Sequence, residues 1–166
     1  MKYWFDTEFI EDGKTIDLIS IGIVAEDGRE FYAQFIQEDR DFNARVNPWV
    51  REHVIPHLTD RDWYTREQIR TKILDFIGAD KPEFWAYYAD YDWVALCQLF
   101  GTMMDLPKGW PMYCRDVKQL CDDLGNPRLP EQGKGEHHAL ADARWNRRAW
   151  EFLQKKVPYG GQGGDV

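Results

Sequence analysis

Residues 2–36 read KYWFDTEFIEDGKTIDLISIGIVAEDGREFYAQFI, and three extended runs can be picked out of them. Residues 2–10 are a short, largely apolar run closed by a turn at Asp12-Gly13. Ile16 to Ala25 is a second run, rich in Ile and Val. Asp27-Gly28 is a two-residue hairpin signal, and Glu30 to Ile36 alternates as a third strand would. The chain therefore opens with a predicted antiparallel meander of three strands.

Downstream the period changes. Pro48 stands where a first helical turn can begin, and Trp49 to Leu58 reads as a short helix broken near Pro56. Thr65 to Ile77 is a clearer helix, with Thr65 as its cap and Ile69, Ile73, Phe76 and Ile77 on one apolar face. Gly78 ends it. Glu83 to Tyr88 (EFWAYY) is strand-like, Trp93 to Phe100 is helical and closes at Gly101, and Met112 to Cys114 reads as a short strand. Val117 to Leu124 is a helix ending at Gly125. Residues 126–136 (NPRLPEQGKGE) are rich in Pro, Gly and charge and predict a loop before a last helix from about His138 to Lys155. The sequence has no internal repeat and no dividing linker. A meander followed by alternating helices and strands predicts an α/β layer: a mixed sheet of five or six strands with helices packed on its faces.

At 166 residues, with 43% hydrophobic and 30% charged residues, the chain has the composition of one soluble globular domain. Residues 1–157 are assigned to that domain, and 158–166, ending YGGQGGDV, to a disordered tail. No run approaches the ~20 apolar residues of a membrane span, and Asp6 and Glu8 interrupt any signal core at the N-terminus. The three cysteines, Cys97, Cys114 and Cys121, form no C-x-x-C pair, which predicts reduced thiols in a cytoplasmic protein. A net charge of −8 argues against a binder that coats duplex nucleic acid with Lys and Arg. It leaves open an enzyme that grips a nucleic acid end through bound metal, because metals invert the local charge.

The chemistry concentrates in three places. Asp6 and Glu8 lie two apart on the first strand and so project from the same face. Like charges side by side on an apolar strand are costly unless a cation lies between them, although solvated acids on an edge strand would also read this way. Asp92 follows the aromatic strand at its junction with a helix, the part of an open α/β sheet where ligands bind. Asp90 beside it has the supporting role of a cap. Third come His137 and Asp142. On one ideal helix these would diverge by roughly 140°. They converge only if His137 lies on the loop before the helix and Asp142 in its first turns. A loop imidazole suits a general base, since histidine titrates near neutrality when unperturbed. The plainer alternative is a solvent-facing histidine beside an Asp that complements a helix N-terminus. Together the four carboxylates can line one oxygen-rich pocket that prefers two Mg²⁺ or Mn²⁺ ions to zinc.

The strings DTEF, YDWVAL and HHALADA resemble the three motifs of the DEDDh exonuclease superfamily, which has the ribonuclease H-like fold: D-x-E, an Asp before a helix, and H-x-x-x-x-D. Asp6, Glu8, Asp92, His137 and Asp142 match position by position. D-x-E and H-x-x-x-x-D are weak alone, but all three motifs in order at these spacings are specific. WVREHVIPHL and YDWVALCQLFG, with the opening stretch, make the chain more similar to the RNase AS group of exoribonucleases, over residues 3 to about 153. The resemblance implies 3′–5′ hydrolysis of single-stranded RNA to 5′-nucleoside monophosphates, a taste for adenylate-rich RNA, and a homodimer. The alternatives are a 3′–5′ DNA exonuclease of proofreading or repair type and a non-catalytic nucleic-acid or protein interaction module. The module predicts loss of a motif residue, and none is lost. One departure is a second histidine, His138, whose spacing to Asp142 is i, i+4.

Around these motifs, Thr7, Phe9 and Trp93 are the candidate substrate-binding residues, with Phe9 placed to touch the terminal base. Most other aromatics are assigned to the core. His53 and His57, at i, i+4, lack a third ligand and read as surface histidines. Arg144, Arg147 and Arg148, and Lys134 in the loop, are placed on a solvated face rather than against a phosphate.

Overall fold

The computed structural model describes residues 1–36, 42–133 and 135–157. Lys134 and the predicted tail 158–166 lie outside the described residues. The meander is present: β1 (Lys2–Glu11), β2 (Ile16–Ala25) and β3 (Glu30–Phe35) pair antiparallel in sequence order. After it come α1 (Phe42–Arg45), α2 (Pro48–His53), β4 (Trp63–Tyr64), α3 (Arg66–Ile77), β5 (Glu83–Ala86) and α4 (Asp90–Phe100). The chain closes with β6 (Arg115–Asp116), α5 (Val117–Asp123) and α6 (Ala139–Gln154). The described strands form one six-stranded sheet in the order β4-β3-β2-β1-β5-β6, in which β5 joins β1 in parallel. The fold class is the mixed α/β layer expected.

Several boundaries differ from expectation. Strand β5 stops at Ala86 instead of running through Tyr88, and α4 begins at Asp90, three residues before Trp93. The predicted strand at 112–114 falls instead at Arg115–Asp116. The helix over 49–58 divides into α2 and a 3₁₀ turn at Ile55–His57, because Pro56 lacks the N–H that would continue it. Helix α3 carries a full capping box, Thr65 with Gln68, and its buried Ile69, Ile73 and Ile77 repeat every four residues.

The pleat of β1 divides the core. Tyr3 and Phe5 face α3 and α4 in the main cluster, whereas Trp4 faces α5 and α6 with Trp85, Val117 and Trp145. Small buried residues, Ala139, Ala143 and Ala149, let α6 lie close against the sheet. The closest approach is over Gly22, where an added Cβ would stand 2.3 Å from Leu140 Cα and 2.5 Å from the carbonyl carbon of Ala139. A third cluster, Ile10, Ile19, Val46, Val50 and Val54, seats α2 on the sheet near the far end of β1. Cys97, Cys114 and Cys121 are free thiols, and no helix among the described residues is long and apolar enough to cross a membrane.

Candidate active site

Pairing between β1 and β5 ends at Trp4–Trp85, so β1 runs on past its neighbour. Backbone groups on that side must then find other partners. The Phe5 carbonyl accepts a bond of 2.9 Å from Asn146 Nδ2 on α6. The Thr7 N–H donates 2.8 Å to Asp92 Oδ1 on α4, and the Thr7 hydroxyl donates to the same oxygen at 2.6 Å. Helices from opposite faces of the sheet are thereby drawn to one stretch of strand, and that stretch carries Asp6 and Glu8. The early end of β5 is what opens the site.

A cleft of about 420 Å³ lies there, lined by Asp6, Glu8, Asp92, His137 and Asp142 among others. Asp6 is opposite Gly22 in the ladder and Glu8 opposite Ser20, so both face the start of α6, where Asp142 sits in the first turn. Burial, then the charges of Asp92, Glu8 and Asp142, push the Asp6 carboxyl well above the carboxylate range. Burial and the charges of Asp142 and Asp92 push Glu8 up to about 8. Burial also lifts Asp92 to about 7 against the lowering effect of its Thr7 bonds. Asp142 is raised by burial and partly restored by two donors, Gln132 Nε2 at 2.7 Å and the His137 N–H at 2.9 Å. These acids raise one another's affinity for protons, as uncompensated negative charge in a confined space does. Glu8, His137 and Asp142 can each bring one ligand atom within 4.8 Å of the others. Oxygen donors with one imidazole suit a hard divalent cation.

His137 lies outside the helix that carries Asp142. His138 is the N-cap of α6, and His137 precedes it in the left-handed region, φ +68°, after Gly133 and Gly135, which also have positive φ. Its ring lies edge-on to Trp49 (4.8 Å between centroids, 79°) and to His53 (5.8 Å, 86°). His138 does not line the cleft. It lies flat on Tyr32 (4.6 Å, 20°), and burial pushes its imidazole below the ordinary range.

Of the substrate-binding candidates, Thr7 and Phe9 line the cleft. Phe9 follows an irregularity in the β1–β2 register and meets Tyr91 edge-to-face at 5.8 Å. Trp93 is not among the lining residues; it packs on Phe84 at 5.6 Å and borders a neighbouring cleft of about 690 Å³. Asp90 is exposed and lines both clefts, and it caps nothing, since Ala89 holds the N-cap of α4. Arg144 and Arg147 are engaged in the fold, Arg144 with Glu30 and Arg147 with Glu151 and the carbonyls of Ala25 and Glu26. Sequence reasoning missed Trp49, Gln132 and Tyr91 as site residues. The signal for Trp49 was the two His beside it in WVREHVIPHL, read as surface; Gln132 sat unremarked in a polar loop.

Residues 1–154 match the family model described as "3'-5' exoribonuclease Rv2179c-like domain". The chain is 46% identical over 159 residues to the "3'-5' exoribonuclease Rv2179c" of Mycobacterium tuberculosis, spanning 92% of this chain and 93% of that protein. The "3'-5' exoribonuclease MT2234.1" of a second strain of the same organism is similar to the same extent, at 46%.

Proposed function

The chain belongs to the family of the 3'-5' exoribonuclease Rv2179c-like domain, and from that premise we propose that it is itself a 3′–5′ exoribonuclease of the DEDDh type on a ribonuclease H-like fold. It removes nucleotides from the 3′ end of single-stranded RNA as 5′-monophosphates, with adenylate-rich ends preferred. One observation carries the reading. Among the described residues, the cleft is lined by acids, aromatics and Thr7 around a single imidazole, with no Lys or Arg. Alone, such a cleft repels phosphate, so an RNA end fits it only with cations between.

Asp6, Glu8, Asp92 and Asp142 are the proposed ligands of two divalent cations, Mg²⁺ or Mn²⁺. When bound, these supply charge neutralisation at the scissile phosphate and activation of water. The protein's own groups do the rest. The His137 ring takes the proton of the attacking water. Thr7 fixes one oxygen of Asp92, and Gln132 with the His137 N–H fixes both oxygens of Asp142, so the carboxylates meet the cations already oriented. Phe9, backed by Tyr91, offers a face for the terminal base. The reading also takes the enzyme to be cytoplasmic and homodimeric.

The test is digestion of 3′-end homopolymers of A, U, C and G, beside a matched single-stranded DNA, with Mg²⁺ and then with chelator. The expected result is stepwise shortening of RNA, fastest on A, that chelator stops. Equal degradation of DNA overturns the substrate, activity in chelator overturns the metals, and wild-type activity in Asp6→Ala overturns the site.

A further inference from the structure

The imidazole of His137 has no hydrogen-bonded anchor among the described residues, although the backbone N–H of the same residue is tied to Asp142. It follows a glycine-bearing loop with positive φ at Gly133, Gly135 and His137 itself. A general base needs its ring held to within a fraction of an ångström of the proton it takes. Something other than a hydrogen bond must hold it.

Helix α2 supplies the contact. Trp49 and His53 are one turn apart and lie face to face, 4.8 Å between centroids and 15° between planes. His53 Nδ1 is 2.9 Å from the Trp49 carbonyl; a carbonyl only accepts, so this nitrogen carries the proton and the ring is locked. The pair stands edge-on to His137, and Trp49 borders the cleft while 50% exposed. Its support is rigid. Pro48 opens the helix, Asn47 Oδ1 accepts the Val50 N–H at 2.9 Å, and Val50 and Val54 are buried against Ile10 of β1 and Ile19 of β2. The bracket is thus seated on the strand that carries Asp6 and Glu8. Edge-to-face aromatic contacts add enough attraction beyond burial to shift the population of a loop side chain several-fold.

We propose that Trp49 and His53 are positioning residues for His137, an aromatic bracket that holds the imidazole at the mouth of the carboxylate cleft. The inference rests on the reading of His137 as the base. Its experiment pairs a spectroscopic readout with kinetics on 3′-labelled oligoadenylate and Mg²⁺. The His137 ring proton resonances, assigned by their loss in His137→Ala, report the Trp49 ring current whether or not the protein is active. Trp49→Ala is expected to move them, and to lower kcat roughly ten- to a hundredfold with KM within about twofold. Trp49→Phe recovers most of both. His53→Leu moves the resonances with Trp49 still in place, and serves if Trp49→Ala does not fold. Unmoved resonances, an unchanged kcat, or a rise in KM alone overturns the bracket. Wild-type turnover in His137→Ala overturns instead the role of the base.

Discussion

Gly22→Ala is the smallest change that should disable this site, and its size follows from the packing of α6. Gly22 is needed for space. A Cβ there would lie 2.3 Å from both Leu140 Cα and Leu140 N and 2.5 Å from the Ala139 carbonyl carbon, all backbone atoms that no rotamer change can move. Ordinary contact begins near 3.4 Å, so the first turn of α6 must lift by roughly 1 Å. Asp142 is two residues beyond Leu140, and its carboxylate is held at 2.7 Å by Gln132 and 2.9 Å by the His137 N–H. A shift of that size takes both contacts out of hydrogen-bonding range. Overpacking of this kind costs about 1–3 kcal/mol of stability, here at the upper end. Displacing the proposed metal ligand Asp142 should lower turnover by about a hundredfold. Urea unfolding and a 3′-labelled RNA assay read the two effects separately. A variant that keeps the wild-type midpoint and a rate within about twofold would refute the claim that Gly22 sets the height of α6.

Burial and the charges of Asp142 and Asp92 hold Glu8 at about 8, and burial holds Asp92 at about 7, so the folded protein binds protons that the unfolded chain has released, and stability must fall as pH rises toward these values. His138, lowered by burial, works in the opposite sense only below its ordinary 6.5, which leaves about pH 6.5 to 8 as the clean window. There the melting temperature should drop in chelator and recover with Mg²⁺; a flat profile in chelator would count against buried, uncompensated carboxylates. His137→Ala should cut turnover by about two to four orders of magnitude and weaken Mg²⁺ binding far less than Asp142→Ala, with calorimetric titration as the check. Asn146→Ala removes the buried donor to the Phe5 carbonyl and should cost about 1–3 kcal/mol in denaturant unfolding. A loss under about 0.5 kcal/mol would mean another group takes up that carbonyl.

The meander was legible because its signals are local: Asp27-Gly28 fixes the hairpin, and Ile16–Ala25 is apolar enough to read as a strand without its neighbours. The requirement that His137 stand outside the helix of Asp142 followed from helical geometry, and the structure places it so. What escaped was set by partners distant in sequence. Strand β4 is only Trp63–Tyr64, and it exists because β3 offers an edge to pair with. The start of α4 at Asp90 was hidden because the aromatic run through Tyr88 looks extended, yet Tyr88 turns to φ +54° with its N–H on Asp116 Oδ1. Trp93 stood next to a carboxylate in sequence but faces a different cleft, since neighbours on a helix point about 100° apart. Trp49 joins the site only through folding, from a segment distant in sequence from the acids and from His137.

The stretch of β1 that outruns β5 has one more implication. A strand with open N–H and C=O groups beside it is an invitation to any other extended chain, including a copy of itself. Asn146 and Asp92 occupy two of those groups from the helices above and below. The contacts that aim the chemistry therefore also deny a foreign strand its footing. Loss of Asn146 should show in the test tube as clumping on concentration, in addition to lower stability, so that solubility and catalysis in this protein are guarded by the same few atoms.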